Sequence, residues 1–350
     1  MSTYVVTGGA GFIGSHVCGR LAELGHRVVN VDSFADNYDY RRKVANVLES
    51  LHMPGRVQWM DKERDLAWLS ACTASGAYRL VCADIREEAA LAVLFAEERP
   101  DAVIHLAALP GVRASMAQPA LYEDVNVKGT LSLLEAMRRC GIRKWVCASS
   151  SSVYGNTERT ILSETDCTDM PISVYAASKK SCELLGHTYS HLYGIDGLML
   201  RLFTVYGERQ RPDLAIHKFT AMIERGEALP FYGDGASVRD YTYVGDIVDG
   251  IVLALDYASR HERFYEIVNL GSHRPVALTE LVSTLESVTG RTASLTRLPD
   301  QPGDMAGTCA DIGKAARLLG YRPSMDFRAG IARFADWYRA GSAQDGAGGI

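Results

Sequence analysis

The sequence lacks the cysteine patterns of metal-binding or disulfide-rich proteins. It has eight cysteines, but no CxxC pair and no spacing typical of a zinc site. Cys82 and Cys147 lie inside apolar runs, where a thiol behaves as a small hydrophobic side chain. We therefore expect reduced core or surface thiols, no metal, and a cytoplasmic protein.

Long apolar runs and basic clusters are also missing. The net charge is −5 and no basic run offsets it, which disfavours a general nucleic-acid binder. No apolar stretch approaches membrane-spanning length, and the N-terminus, MSTYVVTGG, enters a strand-like run without a signal peptide. We expect neither nucleic acid nor a membrane as a partner.

The first half of the chain alternates short apolar runs with helical patterns. In FIGSHVCGRLAEL, apolar residues recur at helical spacing and Gly25 is placed to end the helix. Val- and Ile-rich strands that alternate with helices are typical of a parallel α/β sheet buried on both faces. The predicted strands are 3–8, 26–32, 78–84, 101–108, 144–150 and 196–203, with a helix near 173–193.

Past residue 205 glycine, proline and short runs become more frequent. Helical patterns recur near 214–225 and 277–289, which predicts a smaller second lobe. The stretch 50–77 is long for a connection, so an extra helix or excursion is expected there. The predicted parts are a dinucleotide-binding domain over 1–205, to which part of the later chain returns, a substrate-binding lobe over 206–340 and a disordered tail over 341–350.

A glycine-rich motif stands between the first predicted strand and the first predicted helix. Gly9-Ala10-Gly11-Phe12-Ile13-Gly14 matches GxGxxG, whose glycines let backbone N–H groups approach a pyrophosphate. Asp32 ends the next strand, where a carboxylate accepts hydrogen bonds from a ribose 2′-hydroxyl. This context predicts NAD binding by a Rossmann-type, doubly wound parallel sheet. Asp84 ends the third strand and either reaches the adenine or caps the strand.

Tyr175 and Lys179 stand four positions apart in a predicted helix and therefore share one face. A free tyrosine has a pKa of about 10 and is a poor base at neutral pH. A neighbouring ammonium group and a positively charged nicotinamide favour the phenolate. The pair predicts a general base beside a hydride acceptor, although Tyr-xxx-Lys also occurs by chance in ordinary helices.

Four serines and no carboxylate follow the apolar run of the fifth predicted strand. This stretch, ASSSSVYG (148–155), lies at the carboxyl edge, where α/β sheets bind ligands. A serine there can donate to the same substrate oxygen that Tyr175 deprotonates. A serine-rich turn without catalytic function is the alternative.

These segments together resemble the extended short-chain dehydrogenase/reductase family. TGGAGFIG, the Tyr175–Lys179 pair and SSSVYG carry the resemblance, which covers residues 3–335. The segments HLAALPGVRAS, FTVYGERQRPD and VRDYTYVGDIVDG are similar to the nucleotide-sugar epimerases, in particular the UDP-glucuronate 4-epimerases. The resemblance implies an NAD-dependent isomerase that converts UDP-glucuronate to UDP-galacturonate through a transient 4-keto sugar. It also implies a homodimer.

The same resemblance implies roles for individual residues. Tyr175 is the base, Lys179 supports it, and Ser150 is the hydroxyl beside the sugar 4-OH. The implied NAD-binding residues are Gly8, Gly11, Phe12, Ile13, Gly14, Asp32, Asp84, Ile85, Leu106, Ala107, Ala108, Asn126 and Lys179. The implied substrate-binding residues are Ser151, Ser152, Arg113, Thr204, Arg211, Tyr232 at the uracil, Arg239 at the phosphates and Asp304 at the uridine ribose.

Two features of the sequence narrow the expected substrate. Relatives that dehydrate or decarboxylate nucleotide sugars typically carry Asp or Glu just after the catalytic hydroxyl, whereas this chain has Ser151 and Ser152. The missing acid favours simple inversion at C4, and hydroxyls suit an anionic sugar. Thr204 stands where epimerases of neutral hexoses usually have Asn, and Arg211 offers a guanidinium that can hold a carboxylate bidentately.

Three alternatives stay open. UDP-glucose 4-epimerase, alone or with dual specificity, is favoured by YGDG and VRDYTY, which resemble the neutral-hexose enzymes. UDP-glucuronate decarboxylase is disfavoured by the serines. A non-catalytic NAD-binding regulator is disfavoured because it does not need Tyr175, Lys179 and Ser150 together.

Overall fold

The secondary structure follows the predicted alternation of strands and helices. The structure, a computed structural model, describes residues 1–53, 57–74, 76–299 and 307–347. The strands are β1 (Thr3–Thr7), β2 (Arg27–Asp32), β3 (Tyr78–Cys82), β4 (Ala102–His105), β5 (Lys144–Ser150), β6 (Ile161–Leu162), β7 (Asp196–Leu202), β8 (Thr204–Tyr206), β9 (Leu229–Tyr232), β10 (Val238–Tyr243), β11 (Tyr265–Leu270), β12 (Pro275–Ala277), β13 (Leu295–Leu298) and β14 (Cys309–Ala310).

Helices connect most of these strands. They are α1 (Phe12–Glu23), α2 (Tyr40–Ser50), α3 (Lys62–Thr73), α4 (Glu88–Glu98), α5 (Val112–Ala117), α6 (Pro119–Tyr122), α7 (Gly129–Cys140), α8 (Val174–Tyr193), α9 (Ala215–Arg225), α10 (Val244–Arg260), α11 (Leu278–Thr289), α12 (Gly313–Leu319) and α13 (Phe327–Ala347). A π-helical segment, Glu123–Lys128, precedes α7, and a 3₁₀ turn, Ser151–Tyr154, follows β5. The helix α3 is the extra element expected in the stretch 50–77.

A parallel sheet of seven strands forms the centre of the fold, in the order β11-β7-β5-β4-β1-β2-β3. The predicted α/β fold with a doubly wound parallel sheet is therefore confirmed. The strand order changes direction beside β1, where Thr7 of β1 pairs with His105 of β4. In such sheets the crevice outside the carboxyl ends at this switch point binds ligands.

Apolar side chains cover both faces of this sheet. Helices α1 and α10 supply one buried cluster, which includes Val17, Leu21, Ile247 and Ile251. Helices α4 and α7 supply the other, which includes Leu91, Phe95, Leu133 and Met137. The helix α1 ends where expected, because Gly25 adopts a φ of +79°, which disfavours other residues.

The eight cysteines are free in the structure, and Cys82 is not a core residue. Cys147 is buried in the central strand β5, whereas Cys82 is exposed at the end of β3. The reason is that β3 is the edge strand of the sheet, so the end of its apolar run faces solvent. The expectation that both thiols pack as small hydrophobic side chains is therefore wrong for Cys82.

The later part of the chain builds smaller sheets. Strands β12, β10 and β8 form one, and the pairs β13–β9 and β14–β6 are parallel. The last helix, α13, extends into the segment 341–350 that was expected to be a disordered tail, since helix growth from a packed turn needs no new nucleus. Residues 348–350 lie outside the described part. The division at residue 205 stays a prediction.

Among the described helices, none combines the length and the apolar character needed to cross a membrane. Within the same ranges, no group of three His, Cys, Asp or Glu side chains is arranged to hold a metal ion.

Candidate active site

The glycine loop connects β1 to α1 and leaves no room for side chains. Gly8 has a φ of +73°, and a Cβ there would lie 2.7 Å from Ala107 N. A Cβ at Gly14 would lie 2.1 Å from Gly8 O. Gly11 caps α1 without a side-chain hydrogen bond, so the N–H groups of Phe12 and Ile13 have no capping partner. The loop is thus a compact cradle at the positive end of a helix.

Asp32 ties the end of β2 to this loop. Its carboxylate accepts hydrogen bonds from Ala10 N at 3.1 Å and Phe34 N at 2.8 Å, and the residue is buried. Each carboxylate oxygen keeps lone pairs for further donors, such as ribose hydroxyls.

Asp84 is held by a neighbouring arginine. It accepts from Arg86 N at 2.9 Å and from Arg86 Nη2 at 2.7 Å, and these hydrogen bonds lower the pKa of the Asp84 carboxyl. Arg86 also pairs with Asp124. Next to it, Ile85 is buried against Gly129. Asp84 thus caps the turn after β3, and its contact with adenine stays a prediction.

Asn126 fastens the segment after β4 to α8. Its side-chain oxygen accepts from Leu109 N at 2.8 Å, and its Nδ2 donates to Leu109 O at 3.1 Å and to Ser178 Oγ at 3.0 Å. The described polar partners of Asn126 therefore come from the protein itself. Leu106 and Ala107 are held at the switch point by Thr7, which accepts from Leu106 N at 3.1 Å and from Ala107 N at 3.3 Å. The contact of Leu106, Ala107, Ala108 and Asn126 with a cofactor stays a prediction.

His105 extends this network through the sheet. Thr130 donates its hydroxyl proton to Asn126 O at 2.5 Å, so its oxygen accepts from His105 Nε2 at 3.0 Å. His105 Nδ1 is then the acceptor for Thr7 Oγ1 at 2.7 Å. Burial, and secondarily the charge of Lys179, lowers the pKa of His105 to about 3, so the ring is neutral.

Helix α8 brings the predicted base to the carboxyl end of β5. Ser173 caps the helix by accepting from Ala176 N at 3.1 Å. Lys179 is buried and its Nζ donates to Ala148 O at 2.8 Å, two residues before Ser150. Tyr175 is half-buried one turn earlier, with the Tyr122 ring edge-on at 6.4 Å between centroids. The structure therefore brings Tyr175 and Lys179 to the strand end that carries Ser150.

The four serines divide into two groups. Ser149 donates to Glu183 Oε1 at 2.7 Å and is buried, so it serves the packing of α8 on β5. Ser150 Oγ accepts from Ser152 N at 3.1 Å and donates to Ser152 Oγ at 3.2 Å. Ser151 and Ser152 are half-buried in the 3₁₀ turn. Ser150, Ser151 and Ser152 thus place hydroxyls, and no Asp or Glu, in the chain where β5 ends.

Arg211 faces the aromatic side chains around Tyr175. Burial raises the pKa of Tyr122, and the positive charge of Arg211 opposes that rise. The guanidinium forms a bidentate ion pair with Asp213, at 2.9 Å from Nε and 2.8 Å from Nη2. Burial alone lowers the pKa of Arg211, but the hydrogen bonds and charge of Asp213 outweigh it, and the pKa is raised. Thr204 is half-buried at the start of β8.

The remaining predicted substrate residues are more dispersed. Arg113 is exposed on α5, and Tyr232 is half-buried at the end of β9. Arg239 lies in β10 and its Nη1 donates to Val238 O at 2.9 Å. Asp304 lies outside the described residues. Arg113, Tyr232 and Arg239 thus lie on three different elements, α5, β9 and β10.

Sequence reasoning missed Glu183 and Arg201. They form a buried bidentate pair at 2.8 and 2.9 Å, which joins α8 to β7. A signal was present, because an arginine inside the apolar strand DGLMLRL requires a buried partner. Asp240 was also missed: it is fully buried and accepts from Ser272 N and Ala310 N. Most of its partners lie far along the chain, so no sequence signal pointed to it.

Comparison with known proteins places this site in a family. The family model described as the NAD dependent epimerase/dehydratase family matches residues 4–271, and the chain belongs to that family. A protein of Rhizobium meliloti named probable UDP-glucuronate 4-epimerase is 37% identical over 351 residues, covering 96% of each chain.

Solved structures show the same fold over almost the whole chain. UDP-glucuronic acid 4-epimerase from Bacillus cereus, in complex with UDP-glucuronic acid and NAD, has a TM-score of 0.83 at 33% identity, covering 97% of this chain and 99% of that one. UDP-glucose 4-epimerase from Thermotoga maritima, with UDP-glucose, has a TM-score of 0.81 at 29% identity, with the same coverage.

Proposed function

We propose that the protein is an NAD-dependent isomerase that inverts C4 of a UDP-sugar and converts UDP-glucuronate to UDP-galacturonate. The observation that carries the proposal is the anchoring of α8 on β5: Lys179 Nζ donates to Ala148 O at 2.8 Å, which brings the base helix to Ser150. The names of the relatives support the same reaction.

The residues of the switch point fit NAD. Glycine at positions 8 and 14 lets the loop pack tightly, because a Cβ at either position would collide with the backbone of Ala107 or Gly8. This tight turn lets a pyrophosphate approach the backbone N–H groups at the N-terminus of α1. The buried Asp32 would receive the adenosine ribose hydroxyls, and its charge disfavours a 2′-phosphate. Bound NAD supplies reversible oxidation at the sugar C4.

The proton chemistry belongs to the chain itself. Tyr175 accepts the proton of the sugar 4-hydroxyl and returns it after the ring has turned over. The ammonium of Lys179 stabilises the phenolate form, and Ser150 donates to the same sugar oxygen. Ser151 and Ser152 follow Ser150 in place of an Asp or Glu that could remove the proton at C5, which favours inversion over dehydration or decarboxylation.

The uronate carboxylate is assigned to Arg211, with hydroxyls from Thr204, Ser151 and Ser152. A guanidinium is a strong partner for a carboxylate, and Arg211 lies in the electrostatic reach of Tyr122 and the base beside it. The UDP portion is assigned to Arg113, Tyr232, Arg239 and Asp304.

UDP-glucose 4-epimerisation is the second candidate, and one observation favours it. Arg211 is already paired with Asp213, so the positive charge offered to a carboxylate is partly neutralised. The binding of a neutral hexose would not be weakened by this pairing. The name and ligand of the Thermotoga maritima structure agree with this alternative.

One NMR experiment separates these candidates. The purified protein is incubated without added NAD with UDP-glucuronate in one tube and UDP-glucose in another. Appearance of UDP-galacturonate supports the proposal and a retained cofactor, whereas conversion of UDP-glucose alone contradicts the uronate assignment. Tyr175→Phe is the control, since it removes the base and should stop both reactions. No conversion in either tube, even with NAD added, would refute the epimerase.

We infer that two copies of the chain form a homodimer through α7 and α8. These packed neighbouring helices carry large exposed apolar side chains: Leu131 at 38%, Leu184 at 58%, Leu192 at 58% and Tyr193 at 42% exposure. Large exposed apolar side chains on two packed helices favour a protein partner. Light scattering of the wild type and of Leu184→Lys tests this inference. The wild type should have twice the mass of one chain, and the variant should have the mass of one chain.

A cytoplasmic location is also inferred. The eight free thiols are typical of a reducing compartment. Cell fractionation tests this inference, and recovery of the protein mainly outside the cytoplasmic fraction would contradict it.

A further inference from the structure

The ion pair between Arg211 and Asp213 is built into a tight turn. Arg211 O accepts from Leu214 N at 3.2 Å, and Pro212 occupies the second position of this turn, which proline favours because its φ is fixed. Asp213 therefore moves with Arg211 on one rigid segment. The pair needs no other element to form, so it is present before any sugar binds.

The two partners differ in exposure. The Arg211 side chain is 16% exposed, whereas that of Asp213 is 61% exposed. The cation is thus mostly enclosed by the protein, whereas the anion is mostly exposed to solvent. Burial works to raise the pKa of Asp213, but hydrogen bonds from Arg211 outweigh it, and the pKa of this carboxyl is lowered. Asp213 is therefore ionised at neutral pH.

We propose that Asp213 is a specificity-determining residue that lowers the preference of the site for a carboxylate over a neutral group at C6 of the sugar. The inference rests on the proposed UDP-sugar function and adds to it the residue that sets the balance between uronate and hexose. Arg211 is the group that contacts the sugar, and Asp213 acts through Arg211.

Asp213 occupies some of the hydrogen-bond donors of Arg211 and partly neutralises its charge. A guanidinium has five N–H donors, and Asp213 occupies one on Nε and one on Nη2, which leaves three. A neutral C6 hydroxyl needs only one of these. A carboxylate also finds free donors, but it meets a second negative charge on the far side of the same guanidinium. Asp213 therefore weakens carboxylate binding and leaves hydroxyl binding nearly unchanged.

The test compares affinities for two sugars in one variant. Asp213→Asn keeps the size and a hydrogen-bond acceptor, but removes the charge. UDP-glucuronate and UDP-glucose are titrated by calorimetry into full-length protein saturated with NAD, in a Tyr175→Phe background that prevents turnover. We expect Asp213→Asn to tighten UDP-glucuronate binding about three- to tenfold, and to change UDP-glucose binding by less than about twofold, as for a partly screened charge.

A matched ion pair elsewhere in the chain provides the control. Arg225 and Glu227 are also two residues apart and bidentate, at 2.7 and 3.0 Å, after α9. Glu227→Gln removes the same unit of charge and should change neither affinity. In protein that also carries Arg211→Ala, the effect of Asp213→Asn on UDP-glucuronate affinity should disappear, because Asp213 acts through the guanidinium of Arg211.

The outcomes separate this inference from the proposed function. Weaker UDP-glucuronate binding in Asp213→Asn, an equal change for both sugars, or an unchanged gain without Arg211 would each overturn the role of Asp213. Failure of the wild type to epimerise UDP-glucuronate would instead overturn the uronate function. A selective gain in UDP-glucuronate affinity supports the role of Asp213 in either case.

Discussion

Replacement of Glu183 by glutamine should destabilise the protein far more than loss of a surface carboxylate. Glu183 is 1% exposed and accepts hydrogen bonds from Arg201 Nε at 2.8 Å and Nη2 at 2.9 Å. It also accepts from Ser149 Oγ at 2.7 Å. Glutamine preserves the shape, but it leaves the guanidinium of Arg201 buried without a counter-charge.

The magnitude follows from the cost of an unpaired buried charge. Removal of one partner of a buried ion pair costs about 3–5 kcal/mol, and the lower end applies because glutamine still accepts a hydrogen bond. Unfolding entropy near 60 °C scales with length, and for 350 residues it amounts to about 0.7 kcal/mol per degree. We therefore expect Glu183→Gln to lower the Tm by about 4–5 °C at a fixed NAD concentration.

Differential scanning calorimetry with two further variants tests this account. Glu227→Gln breaks an exposed pair and should move the Tm by less than about 1 °C. Glu183→Gln combined with Arg201→Met removes both charges and should recover most of the loss. If the double variant is as unstable as the single one, the unpaired charge is not the cause and the reasoning is wrong.

Two other perturbations follow from the site. Gly14→Ala places a Cβ 2.1 Å from Gly8 O, so we expect NAD affinity, measured by calorimetry, to fall by at least about tenfold through distortion of the cradle. The pKa of His105 is lowered by burial to about 3, whereas an unfolded histidine has a pKa of about 6.5, so the unfolded state takes up the proton first. The contribution of His105 to the free energy of unfolding is therefore fully present above pH 6.5. It should fall by about 1.4 kcal/mol per pH unit as the pH decreases towards 3. Urea denaturation at several pH values should show a smaller slope in His105→Gln.

Each of these expectations can fail clearly. Unchanged NAD affinity in Gly14→Ala would mean that the loop tolerates a side chain and that the cradle is not as tight as the structure indicates. An equal pH slope in wild type and His105→Gln between pH 6.5 and 5 would mean that His105 is not the residue whose neutral form is selected by folding.

The sequence was sufficient for the local features. Periodicity placed α1, α8 and the six sheet strands of the first 205 residues, because burial of one helix face or both strand faces leaves a regular apolar pattern. The glycine loop and the Tyr175–Lys179 pair could be recognised for the same reason: their chemistry depends on residues close together in the chain. The seventh strand, β11, gives only a short apolar run and lies far along the chain from its neighbour β7.

Only the tertiary structure decided which polar groups remain available for chemistry. Ser149 and Ser150 are neighbours with the same hydroxyl, yet Ser149 is bound to Glu183 and Ser150 stays at the strand end. The apolar run around Cys82 suggests a core residue, but Cys82 is exposed, since its strand lies at the edge of the sheet. The sequence suggests that Arg211 is a cation available to a substrate carboxylate, but in the structure it is paired with Asp213. The chain pattern sets local conformation, whereas burial and pairing depend on side chains that only the complete fold brings into contact.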